Sequence, residues 1–156
     1  MALKTFDNNG GAGDGKWKTA ANWDPEGVPA DGDYVKISAD CTCDSDESAK
    51  VLSGGTSEIT SGNTLTVATG GVIYAHVFHI LSGGELLFDG GTFRSMSRLR
   101  LYGPLNGTAN GGTIELVDAQ IIGYSANLVG HASAHLAINR ISGSVRAYPA
   151  VSGTYW

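Results

Sequence analysis

Charge is scarce in this chain. Only 16% of its 156 residues are Asp, Glu, Lys or Arg, against roughly 25% in average proteins. The ten Lys and Arg side chains do not gather into a basic stripe, and the formal net charge is −5. That balance argues against nucleic acid as a partner, because a phosphate backbone demands a cationic track. No run of about 18 apolar residues is present, so no membrane-spanning helix is expected. There are two cysteines, four prolines and two methionines. Cys41-Thr42-Cys43 holds the only thiols, and a disulfide across so short a loop would be strained. No second Cys/His group stands at zinc spacing. The pair therefore reads as two small buried residues continuing the face of Val35, Ile37 and Ala39.

Glycine, in contrast, is abundant: 23 residues, about twice the usual share of ~7%. It follows no Gly-X-Y period, and aliphatic residues fill the gaps. Glycine weakens a strand interior by roughly 0.5–1 kcal/mol relative to alanine, so this many glycines implies many short strands bounded by glycine turns. The doublets Gly54-Gly55, Gly70-Gly71, Gly83-Gly84, Gly90-Gly91 and Gly111-Gly112 punctuate apolar-x-apolar pairs at Leu65/Val67, Leu86/Phe88, Leu99/Leu101, Ile114/Leu116 and Leu136/Ile138. The steps from Leu65 to Leu86, from Phe93 to Ile114 and from Ile114 to Leu136 are nearly equal. A period near twenty predicts an all-β fold, a short parallel β-solenoid, with about five coils in residues 51–150. An antiparallel β-sandwich with hairpins at the same glycines is the alternative. The predicted organisation is an N-terminal arm over 1–14, one β domain over 15–150 and an aromatic tail over 151–156. Helix signals are few; Ser125 to His135 admits a short helix or turn before Leu136-Ala137-Ile138 returns to strand.

Two of the three tryptophans, Trp17 and Trp23, precede a corner with two prolines and two glycines, after which Val35 and Ile37 begin a period-two pattern. The tryptophans are expected to close one end of the stack. Asp31-Gly32-Asp33 reads as turn chemistry, its carboxylates accepting backbone N–H bonds. Trp17, Ala21-Asn22-Trp23, Val28-Pro29 and Gly32-Asp33-x-Val35-x-Ile37 resemble the W…A-N-W…V-P…G-D-x-V-x-I opening of many right-handed β-solenoid proteins. That opening recurs in phage structural proteins and in passenger-type adhesins. The match covers residues 15–37 and makes Trp17, Asn22, Trp23, Pro29 and Asp33 the residues of a structural cap.

Candidate chemistry is thin. Asp40, Asp44, Asp46 and Glu47 are close in sequence but fail the EF-hand spacing, so they read as a solvated acidic turn. His76 and His79 would face opposite sides of a strand, and His131/His135 lacks the glutamate of a zincin site. Glu85, Asp89, Glu115 and Asp118 would offer carboxylate pairs for glycoside cleavage, but nothing singles one pair out. No catalytic, metal or cofactor site is expected. If Leu99 and Leu101 point inward, Arg98 and Arg100 point outward, with Arg94 extending the patch. Arginine is enriched at interfaces, so these three are interface candidates, together with Leu3 and Phe6 near the start and Tyr148, Tyr155 and Trp156 near the end. Met1 to Asn8 lacks an apolar core of signal-peptide length. Taken with the resemblance, this implies a non-enzymatic capsid decoration protein on a phage virion, made in the host cytoplasm, with the major capsid protein as partner and a homotrimeric state. The alternative is an extracellular glycan-binding or adhesin module, with Tyr74, Tyr102 and Tyr124 as its aromatic platform.

Overall fold

A computed structural model describes residues 1–9 and 13–115 with their side chains, residue 116 by its backbone, and the backbone of strands 120–123, 128–130, 136–141 and 145–147. The chain is a parallel β-solenoid of about 4 turns, 58% strand and 3% helix. Among the described residues, fifteen strands form two sheets. The larger contains β1 (Leu3–Phe6), β2 (Trp23–Asp24), β3 (Tyr34–Ile37), β5 (Asp46–Ile59), β7 (Val72–Ile80), β9 (Thr92–Leu101), β11 (Gly112–Leu116) and β14 (Leu136–Ile141). Their order is β14-β11-β9-β7-β5-β3-β1-β2, with β12 (Gln120–Gly123) paired to β9 and to β15 (Val145–Ala147). The smaller sheet runs β13 (Leu128–Gly130), β10 (Leu105–Gly107), β8 (Glu85–Asp89), β6 (Thr64–Ala68), β4 (Cys41–Cys43). Every described pairing between strands of successive coils is parallel, so the sandwich alternative is excluded.

A coil has three strand segments. β9 shows this directly: residues 92–95 pair with β11, and residues 98–101 pair with β12. The bend between them coincides with a register shift between Ala75 and Val77 on β7. Inward side chains stack in register from coil to coil. Phe6, Ile37, Ile59, Ile80 and Leu101 make one column, and Cys41, Leu65, Leu86 and Leu105 another. All of them are buried. Phe78 and Phe93 meet edge to face at 5.0 Å, a favoured arrangement of the two ring quadrupoles.

The glycine doublets divide their labour. At Gly70-Gly71, Gly70 sits at φ 84°, the left-handed region that turns the chain from β6 into β7. Gly71 lies against the coil before it: a Cβ there would overlap the Cys43 carbonyl oxygen. The same two-step arrangement recurs at Gly83-Gly84 and Gly90-Gly91. Gly54-Gly55 is different. It forms part of an irregularity within β5 and packs against the Tyr34 ring.

Three expectations need correction. Leu3–Phe6 is an in-sheet strand and no arm, because Phe6 completes the Ile37 column and packs on Trp23 at 5.0 Å. Ile114 pairs in register with Ile138 and Gly112 with Leu136, so the step from Ile114 to Leu136 is not a coil repeat. Coil length also varies. The step from Leu86 to Leu105 is short and that from Cys41 to Leu65 is long, and fewer turns fit than a fixed period of twenty implies. Residues 151–156 and the segment 125–127 and 131–135 lie outside the described residues, whereas Leu136-Ala137-Ile138 is strand as expected.

Candidate interaction surfaces

The tryptophan segment is a lid that closes the first coil. Trp17 and Trp23 cross edge to face at 4.8 Å, and both are 2% exposed. Trp23 Nε1 donates to the Trp17 carbonyl at 2.7 Å. Asn22, fully buried on a single 3-10 turn (Ala20–Asn22), donates through Nδ2 to Asp14 and to the Lys16 carbonyl. Its own backbone carbonyl accepts from the Asp7 and Asn8 amides, which ties the lid to β1.

Each of the three segments of the first coil would otherwise leave a free strand edge, and each is covered. β2 pairs antiparallel on β1. Trp17 N donates to the Thr42 carbonyl and Thr42 N to the Gly15 carbonyl, which covers β4. The Asp31–Asp33 turn covers β5: Gly32 N donates to the Val51 carbonyl, and Val51 N donates to Asp31 Oδ1. Open edges invite pairing with other chains, so the lid closes this end to axial association.

Asp33 locks the turn to β1 by accepting from Ala2 N at 2.7 Å and Ala30 N at 3.0 Å. Burial pushes its carboxyl upward, but these N–H donors outweigh that and hold it below the usual carboxylate range. A lowered folded pKa adds stability above the unfolded value near 3.9, and that stability is lost as pH falls through the folded pKa. Asp33→Asn is expected to cost about 1.5–3 kcal/mol at pH 7, the range for hydrogen bonds to a charged group, and to flatten the acid limb of the stability curve. Urea titrations between pH 2 and 7 check both; an unchanged acid limb refutes this role. Pro29 lies in the same lid and lines a crevice beside Trp17, together with Glu47, Lys50, Leu52 and Tyr74, with room for on the order of one water molecule.

The acidic turn differs from expectation at one residue. Asp44 pairs with Lys16 at the surface, but Glu47 is 5% exposed, held by Lys50 Nζ at 2.8 Å and Ser45 Oγ at 2.7 Å. The acidic first third of the chain spends much of its charge on such local bonds. Both cysteines are buried and free, as expected. Burial pushes the Cys41 thiol well up and the Cys43 thiol up to about 11, so both stay protonated at neutral pH.

Three of the four carboxylates weighed for glycoside cleavage are bonded to a neighbouring coil. Glu85 accepts from Asn106 Nδ2, Asp89 from Thr108 Oγ1 and Asn110 Nδ2, and Glu115 from Arg94. Asp118 lies outside the described residues, as do Tyr124, His131, His135, Tyr148, Tyr155 and Trp156. Among the described residues no three His, Cys, Asp or Glu side chains converge to hold a metal ion, and no helix is long and apolar enough to cross a membrane.

Of the interface candidates, Phe6 is core and Leu3 is 40% exposed. The arginines separate. Arg94 lies 4.1 Å over the Tyr74 ring and ion-pairs with Glu115, its register partners one coil either side. Arg98 is exposed and Arg100 half-buried on the outer face, opposite the buried Leu99 and Leu101. The chain is thus a short β-solenoid with one sealed end and side-chain ladders along its flanks. Comparison with protein-family models, curated proteins and solved structures found no match for it.

Proposed function

We propose that this protein is a non-enzymatic structural component of a virus particle, a capsid decoration or cement protein that binds the major capsid protein on the outer surface of a phage head as a homotrimer. The observation that carries the reading is the sealed lid. A column whose first coil has all three edges covered offers partners its flanks, and suits fixed side-on attachment. The resemblance of residues 15–37 to the opening of phage β-solenoid proteins points the same way. Cement action is mass action: a partner that binds the assembled lattice but not its free subunits stabilises assembly, and lattice symmetry multiplies weak contacts.

The adhesin reading is less well supported. The Tyr74 face that would stack on a sugar is occupied by the Arg94 guanidinium, and the Tyr102 ring packs on His79 at 6.1 Å.

Co-sedimentation with purified phage heads, paired with light scattering of the free protein, tests the proposal. The expected result is saturable binding to heads and a three-chain mass in solution. No binding to heads, with a monomer at high micromolar concentration, overturns it.

A further inference from the structure

On the outer face of β9, three arginines have two different surroundings. Arg94 has an aromatic ring on one side and a carboxylate on the other. Arg98 and Arg100 stand in register with Val77 and His79 on one side and with Gln120 and Ile122 on the other. None of those four residues is acidic. Glu58 is the first carboxylate in the Arg100 column, two coils away behind His79, and it neighbours Lys36 on its far side. Among the described residues no ion pair reaches Arg98 or Arg100.

Two polar atoms on this face mark where a ligand would bind. Arg100 Nε and His79 Nε2, in adjacent coils, are shielded from solvent and have no hydrogen-bond partner among the described residues. Leaving such groups unpaired costs free energy, and an oxyanion that reached them would recover part of that cost. Burial, then the charge of Arg100, lowers the proton affinity of His79 despite Glu58 nearby.

We infer that Arg98, Arg100 and His79 form a docking surface for the carboxylates of an acidic protein segment. Side chains two apart on a strand share a face about 6.7 Å apart, and each guanidinium presents a planar fork that fits a carboxylate bidentately. A polyphosphate backbone fits poorly, since the patch is two arginines wide on a chain of net charge −5. In the setting proposed above, this face would meet the capsid; the chemistry itself does not depend on that setting.

The test uses a fluorescent octaglutamate peptide titrated against the full chain at low salt, with dextran sulfate as competitor. Saturable, salt-sensitive binding is expected. Arg98→Ala/Arg100→Ala should weaken it ten-fold or more, and Arg98→Lys/Arg100→Lys should fall between, because lysine keeps the charge and loses the fork. Arg94→Gln/Glu115→Gln should leave affinity within two-fold. Circular dichroism confirms that the surface variants stay folded. No octaglutamate binding, equal binding by the wild-type protein and Arg98→Ala/Arg100→Ala, or preferential capture of dextran sulfate overturns the inference. Loss of peptide binding with retained co-sedimentation on heads would remove this surface and leave attachment standing; the reverse would remove the virion reading alone.

Discussion

Trp23→Ala is expected to lower stability by about 3–5 kcal/mol, the range for removing a buried aromatic side chain. Trp23 is 2% exposed and touches Phe6 of β1 at 5.0 Å and Trp17 of the lid at 4.8 Å. Its indole N–H is also the donor that fixes the Trp17 carbonyl. Alanine at this position removes two edge-to-face contacts and leaves a cavity beneath β1. For a chain of this size, each kcal/mol moves the melting temperature by roughly 2–4 °C, so a fall of about 6–20 °C should appear by differential scanning calorimetry. A second consequence separates a lid from ordinary core packing. If the lid loosens, the edges of β1, β4 and β5 are exposed together, and the variant should associate through them. Size-exclusion chromatography below the melting temperature should show new high-mass species. Trp23→Phe retains a ring but loses the N–H, and should cost only about 1–2 kcal/mol with no association. A Trp23→Ala variant that melts within about 2 °C of the parent, less than a single kcal/mol would produce, and elutes unchanged would show that the lid is not what closes the column.

The parts of this fold that can be read in the sequence are those set by short-range geometry. The alternation of Arg98, Leu99, Arg100 and Leu101 places the leucines inward without knowledge of any partner strand, and they are inward. Asp31-Gly32-Asp33 announces its turn because Gly32 takes the left-handed backbone and Asp33 accepts from the nearby Ala30 amide; the bond from Val51 N to Asp31 reaches across to β5. The parts that stay hidden depend on another coil. Leu3-Lys4-Thr5-Phe6 is a short stretch beside a glycine-rich loop, and it becomes strand only because Tyr34–Ile37, much later in the chain, offers an edge and a vacant place beneath Ile37. Glu47 reads as one more surface acid; its partners Ser45 and Lys50 are sequence neighbours, and only its burial beside Trp17 of the lid depends on the fold. Alternation alone puts Arg94 in a surface patch, although its partners, Tyr74 and Glu115, stand one coil away in each direction. The coil period finds both partners when it is applied to polar residues as well as to apolar ones. The surface split between Arg94 and the Arg98/Arg100 pair follows from that same rule.

Gly71→Ala tests the stacking itself, and its cost should exceed that of Gly70→Ala even though only Gly70 has the left-handed backbone. Gly70, at φ 84°, has one neighbour within van der Waals range of an added Cβ, the Asp44 carbonyl at 3.5 Å. Its alanine variant bears mainly the local penalty of that conformation, about 1–2 kcal/mol. At Gly71 an added Cβ would overlap the Cys43 carbonyl oxygen and lie 2.9 Å from its carbon and 2.8 Å from the Ala68 oxygen. All three atoms are backbone, so no side-chain rotation relieves the contact. The coils must separate locally, which stretches the parallel pairing of β4 with β6 and of β5 with β7 on either side of the corner. Overpacking costs about 1–3 kcal/mol and occasionally more; contact with backbone alone places Gly71→Ala at or above the upper end, and here part of that cost is lost hydrogen bonding. Urea unfolding of both variants gives the order directly, and hydrogen exchange locates the damage: amides of 41–43 and 65–67 should lose protection in Gly71→Ala and keep it in Gly70→Ala. If Gly70→Ala proves the more damaging of the two, close approach between coils is not what demands the second glycine, and backbone conformation alone explains the doublets.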